Sequence, residues 1–278
     1  MLSNGNFPIA LVLTLIAGLS TGIGGIIVLF TKKFSGKTLS FALGFSAGVM
    51  LFISLTELFG DARAEMELFF GEKFGLAYTV LAFFAGIAVI AIIDHLIPSD
   101  ENPHEFSSGS LTEGKPLDFR QDSITASDSS RLMRLGLFSI IAIAIHNFPE
   151  GMATFVSAME NPEMGISIAV AVAIHNIPEG IMVAIPIYFA TRKKGKAIGN
   201  AFLSGLAEPI GGIAGYLLLS SIFDHSLNGV VLAFVSGIMT YISIDELLPA
   251  AEKFGHHHLS ITGVIAGMAV MAASLILI

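Results

Sequence analysis

Residues 164–188 read MGISIAVAVAIHNIPEGIMVAIPIY. A helix needs about 20 predominantly apolar residues to cross the hydrocarbon of a bilayer. This stretch has that length, and only His175 and Glu179 in it carry charge near neutral pH. Both fall close to its middle, the depth at which charge is most costly. Residues 133–157 hold a second copy: AIAIHNFPEGMA at 142–153 matches AVAIHNIPEGIM at 171–182 at eight of twelve positions. Two apolar spans that each bury His-Asn-x-Pro-Glu-Gly decide the fold class.

The rest of the chain agrees. It is 54% hydrophobic and 13% charged, with a mean hydropathy of +0.79, where a soluble domain carries about 25% charged residues. Eight stretches have the length and apolarity of membrane spans: 8–30, 38–59, 76–97, 133–157, 164–188, 197–221, 227–249 and 260–278. The expectation is an all-α membrane protein with eight transmembrane helices, forming one domain over 1–278. The one long connection, 98–132, is rich in Ser, Asp, Glu and Pro and reads as a flexible loop. The first span has no basic leader and exceeds a signal-peptide core, so it reads as a retained helix. The chain has no cysteine, which excludes thiolate metal sites, disulfides and thiol nucleophiles. Its net charge of −8 gives no sign of nucleic-acid binding.

Orientation follows from Lys and Arg, which gather on cytoplasmic connections. With the N-terminus outside, 31–37, 98–132, 190–197 and 249–259 face the cytoplasm. Twelve of the fourteen basic residues then lie inside, and only Arg63 and Lys73 outside. Both termini are therefore expected outside a cell membrane, with an even number of spans.

The sequence also repeats itself upside down. Residues 18–26, GLSTGIGGI, match 205–213, GLAEPIGGI, at six of nine positions, and 46–59, SAGVMLFISLTELF, match 235–248, VSGIMTYISIDELL, at six of fourteen. The first two spans thus pair with the sixth and seventh, which run the other way. Inverted repeats with Gly- and Pro-interrupted helices are a construction of secondary transporters, with the site near the midplane. The glycines themselves also read simply as close-packing positions.

In each hexapeptide the His and the Glu stand four apart on one helix face. Pro149 and Pro178 have no N–H for the carbonyls of Ile145 and Ile174, and such irregular backbone at membrane depth belongs against protein or a water-filled cavity. No Lys or Arg lies in either helix core to neutralise Glu150 and Glu179. A divalent cation does so economically. Imidazole with carboxylate suits Zn, Fe(II), Mn or Co. His146, Glu150, His175 and Glu179 can complete one tetrahedral site. Asn147 and Asn176, one residue further round, can serve a second site bridged by the glutamates. The competing reading is a buried hydrogen-bonded network without metal. Glu208, before Pro209 at midplane depth, is a further candidate ligand. Thr21 holds the matching slot in the first span and reads as packing.

At the span ends, Glu57 in the first repeat corresponds to Glu246, beside Asp245, in the second. Asp94 and His95 join the inner group. These residues can draw a cation and pass it on, or be ordinary solvated helix ends. His256, His257 and His258 form either a weak metal tract or a polar turn.

The two hexapeptides, the eight spans and IDELLP at 244–249 resemble the ZIP family of metal transporters over essentially the whole chain, and within it the bacterial ZupT-type members. The resemblance implies a 3+2+3 helix arrangement. It implies uptake of Zn²⁺, with Fe²⁺, Mn²⁺, Co²⁺ or Cd²⁺, and a binuclear centre. By motif, one metal takes His146, Glu150, His175 and Glu179. The other takes Asn147, Asn176 and Glu208 and shares Glu150 and Glu179, while Asp245 and Glu246 match an exit position. Many relatives carry a histidine-rich loop where 98–132 has only His104, so no sensing role comes across.

Metal ions are thus cargo rather than cofactors, and no enzyme activity is expected. The other class considered is a membrane-embedded metalloenzyme, a hydrolase or oxidase. That would need an open coordination position and a general base. The zincin His-Glu-x-x-His is absent from the sequence, and the inverted repeats would be unexplained. A homodimer is compatible with the sequence.

Overall fold

The computed structural model describes residues 4–30, 36–96, 126–222, 225–252 and 255–277. Most of the 98–132 connection, with His104, lies outside the described residues. The helices are α1 (Phe7–Phe30), α2 (Gly36–Ile53), α3 (Phe59–Leu96), α4 (Ala126–Glu160), α5 (Pro162–Thr191), α6 (Lys194–Gly205), α7 (Ala207–Ile222), α8 (His225–Ile242), α9 (Leu248–Glu252) and α10 (His257–Leu277). No strand occurs among the described residues.

Among the described residues, five stretches are long and apolar enough to cross a membrane: Phe7–Val28, Lys37–His95, Pro162–Thr191, Asn228–Glu252 and His257–Ile276. Lys37–His95 contains both the second and the third expected spans. The chain reverses between them at Gly71, whose φ of 74° and ψ of 161° are open to glycine and strained for any other residue. The expected spans 133–157 and 197–221 fall on α4 and on α6 followed by α7. The polarity of the bundle is inverted relative to a soluble protein. Val12, Ile16, Ile92 and Leu217 are more than half exposed, whereas Thr14, Ser46, Thr154, Asn176 and Glu208 are wholly buried.

Local chemistry makes the joints. The α4–α5 turn ends on Asn161, whose side chain accepts from the backbone N–H groups of Glu163 (3.0 Å) and Met164 (3.4 Å), with Pro162 opening the next helix. That is an N-cap followed by proline in the first turn. The Asn6 amide donates to Met159 O at 3.0 Å, which ties the start of α1 to the end of α4 and marks one end of the bundle. At the other end Ser40 donates to Ala251 O at 2.5 Å and meets Ser260 at 2.9 Å, joining α2, α9 and α10.

Tight packing follows small residues. A Cβ at Gly24 would collide with Ile177 O, one at Gly180 with Thr21 O, one at Gly151 with Glu208 O and one at Gly211 with Phe148 O. Backbones of α1 and α5, and of α4 and α7, therefore touch beside the hexapeptides. Outside this group, α2 packs on α10 through Gly44, Gly48, Gly263 and Gly267, and α3 packs on α8 through Gly86 and Gly237.

The repeated stretches 46–59 and 235–248 share one feature not legible in the residues. Each opens into a π-helical turn at the same place in the repeat, Ser54–Leu58 and Ser243–Leu247. Such a turn carries one extra residue and is common at functional sites. Here it holds Glu57 in one copy and Asp245 and Glu246 in the other.

Candidate metal centre

The α4–α5 pair is antiparallel, so the two hexapeptides face each other crosswise. His146 Nε2 lies 3.2 Å from Glu179 Oε2, and His175 Nε2 lies 3.1 Å from Glu150 Oε1. All four side chains are buried. Each imidazole thus meets the carboxylate of the other helix, not the one four residues along its own. Both helices continue through Pro149, Pro178 and Pro186, so the prolines release carbonyls beside the site without ending either helix.

The second copy is tightly held. His175 Nδ1 lies 3.0 Å from Ala171 O, an orientation that leaves Nε2 aimed into the centre, as the outer hydrogen bond of a metal-binding imidazole does. Asn176 Nδ2 donates to Ala17 O at 3.0 Å and to Glu208 Oε1. Through Asn176 the centre gains a carboxylate from the first turn of α7, just past the break at Leu206. Ser46 of α2 donates to His175 O at 3.2 Å and reaches Glu179 Oε1 at 3.5 Å. Sequence reasoning missed Ser46, because its repeat partner is Val235 and nothing in the pattern singles it out.

Buried polar atoms without hydrogen-bond partners belong to the same residues: Glu150 Oε2, Glu208 Oε2, Asn176 Oδ1 and both Oδ1 and Nδ2 of Asn147, while Glu179 Oε2 meets only His146. Buried polar atoms are paired in the great majority of cases, and here the unpaired oxygens have capacity for a further partner beside the two His–Glu pairs. Among the described residues no three His, Asp or Glu side chains already surround one point closely enough to hold a metal. The groups meet in pairs, and a cation inserting between them would draw on donors already desolvated and close at hand.

The end residues divide. Glu246 is 6% exposed, and its Oε2 lies 4.0 Å from His146 Nδ1, so the π turn delivers it to the edge of the centre instead of to a solvated helix end. Asp245 and His95 are exposed, and Asp94 is half-buried. Asp94 and Asp245 are nonetheless among the charges that bear on Glu246. Glu57 is half-buried in its own π turn. His257 Nδ1 lies 2.7 Å from Glu252 Oε1 at the surface, remote in sequence from the hexapeptides.

The described helices, several of them long and apolar enough to cross a membrane, enclose a buried group of two imidazoles, three carboxylates and two amides, donor types that suit a divalent transition metal. The sequence matches the ZIP zinc transporter family over residues 98–275. It is 55% identical over 265 residues to the zinc transporter ZupT of Chlorobaculum parvum, covering 95% of this chain and 96% of that one. Similar proteins of the same name occur in Chlorobium chlorochromatii (54% over 272 residues, 98% of each chain) and Clostridium perfringens (51% over 275 residues, 98% and 96%). The chain belongs to the ZIP family. It is a transporter rather than an enzyme, which sets aside the metalloenzyme alternative.

Proposed function

We propose that this chain moves divalent transition-metal ions into the cytoplasm by secondary transport, Zn²⁺ foremost and with it Fe²⁺, Mn²⁺, Co²⁺ and Cd²⁺. In this reading eight helices cross the cell membrane in a 3+2+3 arrangement, and both termini are outside, as the distribution of Lys and Arg favours. The observation that carries it is the crosswise His–Glu pairing with its ring of orphaned oxygens. His146, Glu150, His175 and Glu179 would hold one ion. Asn147, Asn176 and Glu208, sharing Glu150 and Glu179, would hold a second. Glu246 stands next to His146 and offers the ion its step toward the cytoplasm, with Asp245 and Asp94 beyond it. Glu57 is the corresponding acidic group on the outer side.

The test is metal flux into proteoliposomes carrying the purified protein, with Zn²⁺, Fe²⁺ and Mn²⁺ in turn. Wild type takes up Zn²⁺. Glu150→Ala loses uptake about a hundredfold or more, because removing a charged ligand costs more than the 10–100-fold typical of an outer-shell partner. His175→Ala also lowers it strongly. Normal uptake by Glu150→Ala would remove the centre from the pathway.

A further inference from the structure

The inverted repeat takes the form of a local two-fold relation, and one position in it breaks the match. Aligning 18–26 with 205–213 pairs Gly18 with Gly205, Thr21 with Glu208 and Gly24 with Gly211. The contacts follow that pairing. A Cβ at Gly24 would strike Ile177 O in the α5 hexapeptide, and one at Gly211 would strike Phe148 O, its counterpart in α4. Gly180 abuts Thr21 O as Gly151 abuts Glu208 O. Where α1 crosses the end of α6, Gly18 and Gly205 each face the other's carbonyl. Thr21 therefore stands to the α5 copy as Glu208 stands to the α4 copy.

Glu208 accepts from the amide of Asn176. The operation that relates the two halves carries Glu208 to Thr21 and Asn176 to Asn147. Both of these counterparts are completely buried, and neither Thr21 Oγ1 nor either polar atom of Asn147 has a hydrogen-bond partner among the described residues. A threonine in a membrane helix can donate to the carbonyl four residues back, as Thr14 does to Ala10 O at 2.8 Å. For Thr21 that carbonyl is Ala17 O, which already accepts from Ser20 at 2.6 Å and from Asn176 at 3.0 Å. The one equivalent of the Glu208–Asn176 pair is thus two buried, unpartnered polar groups.

We propose that Thr21 and Asn147 form a neutral half-site, the counterpart of Glu208 and Asn176, and that it holds a water carried by the divalent cation bound at Glu208. The proposal deepens the transport reading and rests on it. A hydroxyl and an amide together offer that water both donors and acceptors, and a buried water needs two to four polar partners. Threonine's oxygen ends two bonds short of a glutamate's, a difference that a bridging water spans. Asn147 then reaches the ion through this water. With a carboxylate on one side and a hydroxyl on the other, the two related positions bind one ion unequally, and the ion keeps part of its hydration toward α1. Glycine lies against both slots alike: a Cβ at Gly205 would lie 3.1 Å from Thr21 Cβ, and one at Gly18 would lie 3.3 Å from Glu208 Cβ.

The test is titration of Zn²⁺ into the purified full chain in detergent, with the Tm of the metal-free protein measured alongside. Thr21→Val keeps the side chain's shape and loses its hydroxyl, whereas Thr21→Ser keeps the hydroxyl and loses the methyl. Thr21→Val is expected to weaken Zn²⁺ binding about tenfold, the lower end of the range for an outer-shell partner, while Thr21→Ser stays close to wild type whatever its Tm. A packing threonine gives the opposite order, so that order, or equal affinity in the two variants, overturns the half-site. The two-fold relation supplies a second arm. Glu208→Thr is expected to lower Zn²⁺ affinity, and adding Thr21→Glu to restore it with the charge moved across the axis. A double variant that folds and binds no better than Glu208→Thr alone also overturns the proposal, and if it does not fold, the Val and Ser variants decide. Wild-type flux with Zn²⁺ binding indifferent to Thr21→Val contradicts this half-site alone. Binding that responds to Thr21→Val, without flux into proteoliposomes, contradicts the transport reading instead.

Discussion

The two hexapeptides share His, Asn, Pro, Glu and Gly, yet the structure treats them differently. In the α5 copy, His175 is tied to Ala171 O and Asn176 to Ala17 O and Glu208. In the α4 copy, His146 has its 3.2 Å contact with Glu179 and no backbone partner for the other ring nitrogen, and Asn147 makes no hydrogen bond. His146 instead looks toward Glu246. One copy is anchored by hydrogen bonds to its neighbours, and the other meets only the carboxylates of Glu179 and Glu246. Duplication supplies matching side chains, and packing makes the two copies unequal.

That comparison can be broken by substitution. After the glutamates, whose removal is expected to end uptake, the largest effect falls on the asparagines. Asn176→Ala leaves Glu208 without its buried amide, while Ala17 O loses one of its donors and keeps the Ser20 hydroxyl at 2.6 Å. The substitution is expected to cost about 1–3 kcal/mol of stability for the unsatisfied group, read as a lower Tm of the metal-free protein. Asn147→Ala removes no hydrogen bond, so its Tm stays near wild type while Zn²⁺ affinity falls. Equal Tm losses in the two variants would mean that the copies are not differently anchored. A smaller effect is expected at Ser46, whose 3.5 Å contact steadies Glu179. Ser46→Ala should weaken Zn²⁺ binding within the 10–100-fold range of an outer-shell partner, nearer its lower end, and titration of Zn²⁺ into purified protein reads this directly.

Much of this was legible in the residues. The paired hexapeptides name His146, Glu150, His175 and Glu179, and helical spacing together with antiparallel spans is enough to bring them near one another. Glu208 was legible because a carboxylate before proline at midplane depth has few other reasons to be there. What could not be read was the crosswise partnering of each His with the other helix's Glu, which depends on the stagger of α4 against α5. Nor could the reach of Glu246 be read. Spacing put it at a helix end, and the π turn at Ser243–Leu247 carries it to His146 instead. Ser46 was invisible for a plainer reason: a small polar residue in a membrane helix usually bonds its own backbone, and only tertiary contacts reveal when it does not.

The central claim is that the two hexapeptides together hold the transported ion, and X-ray absorption at the zinc edge on Zn²⁺-loaded protein tests it most directly. The account predicts a nitrogen/oxygen shell with the outer-ring scattering of imidazole, reduced by His175→Ala and again when His146→Ala is added. A spectrum free of imidazole, or one that neither substitution changes, would contradict it.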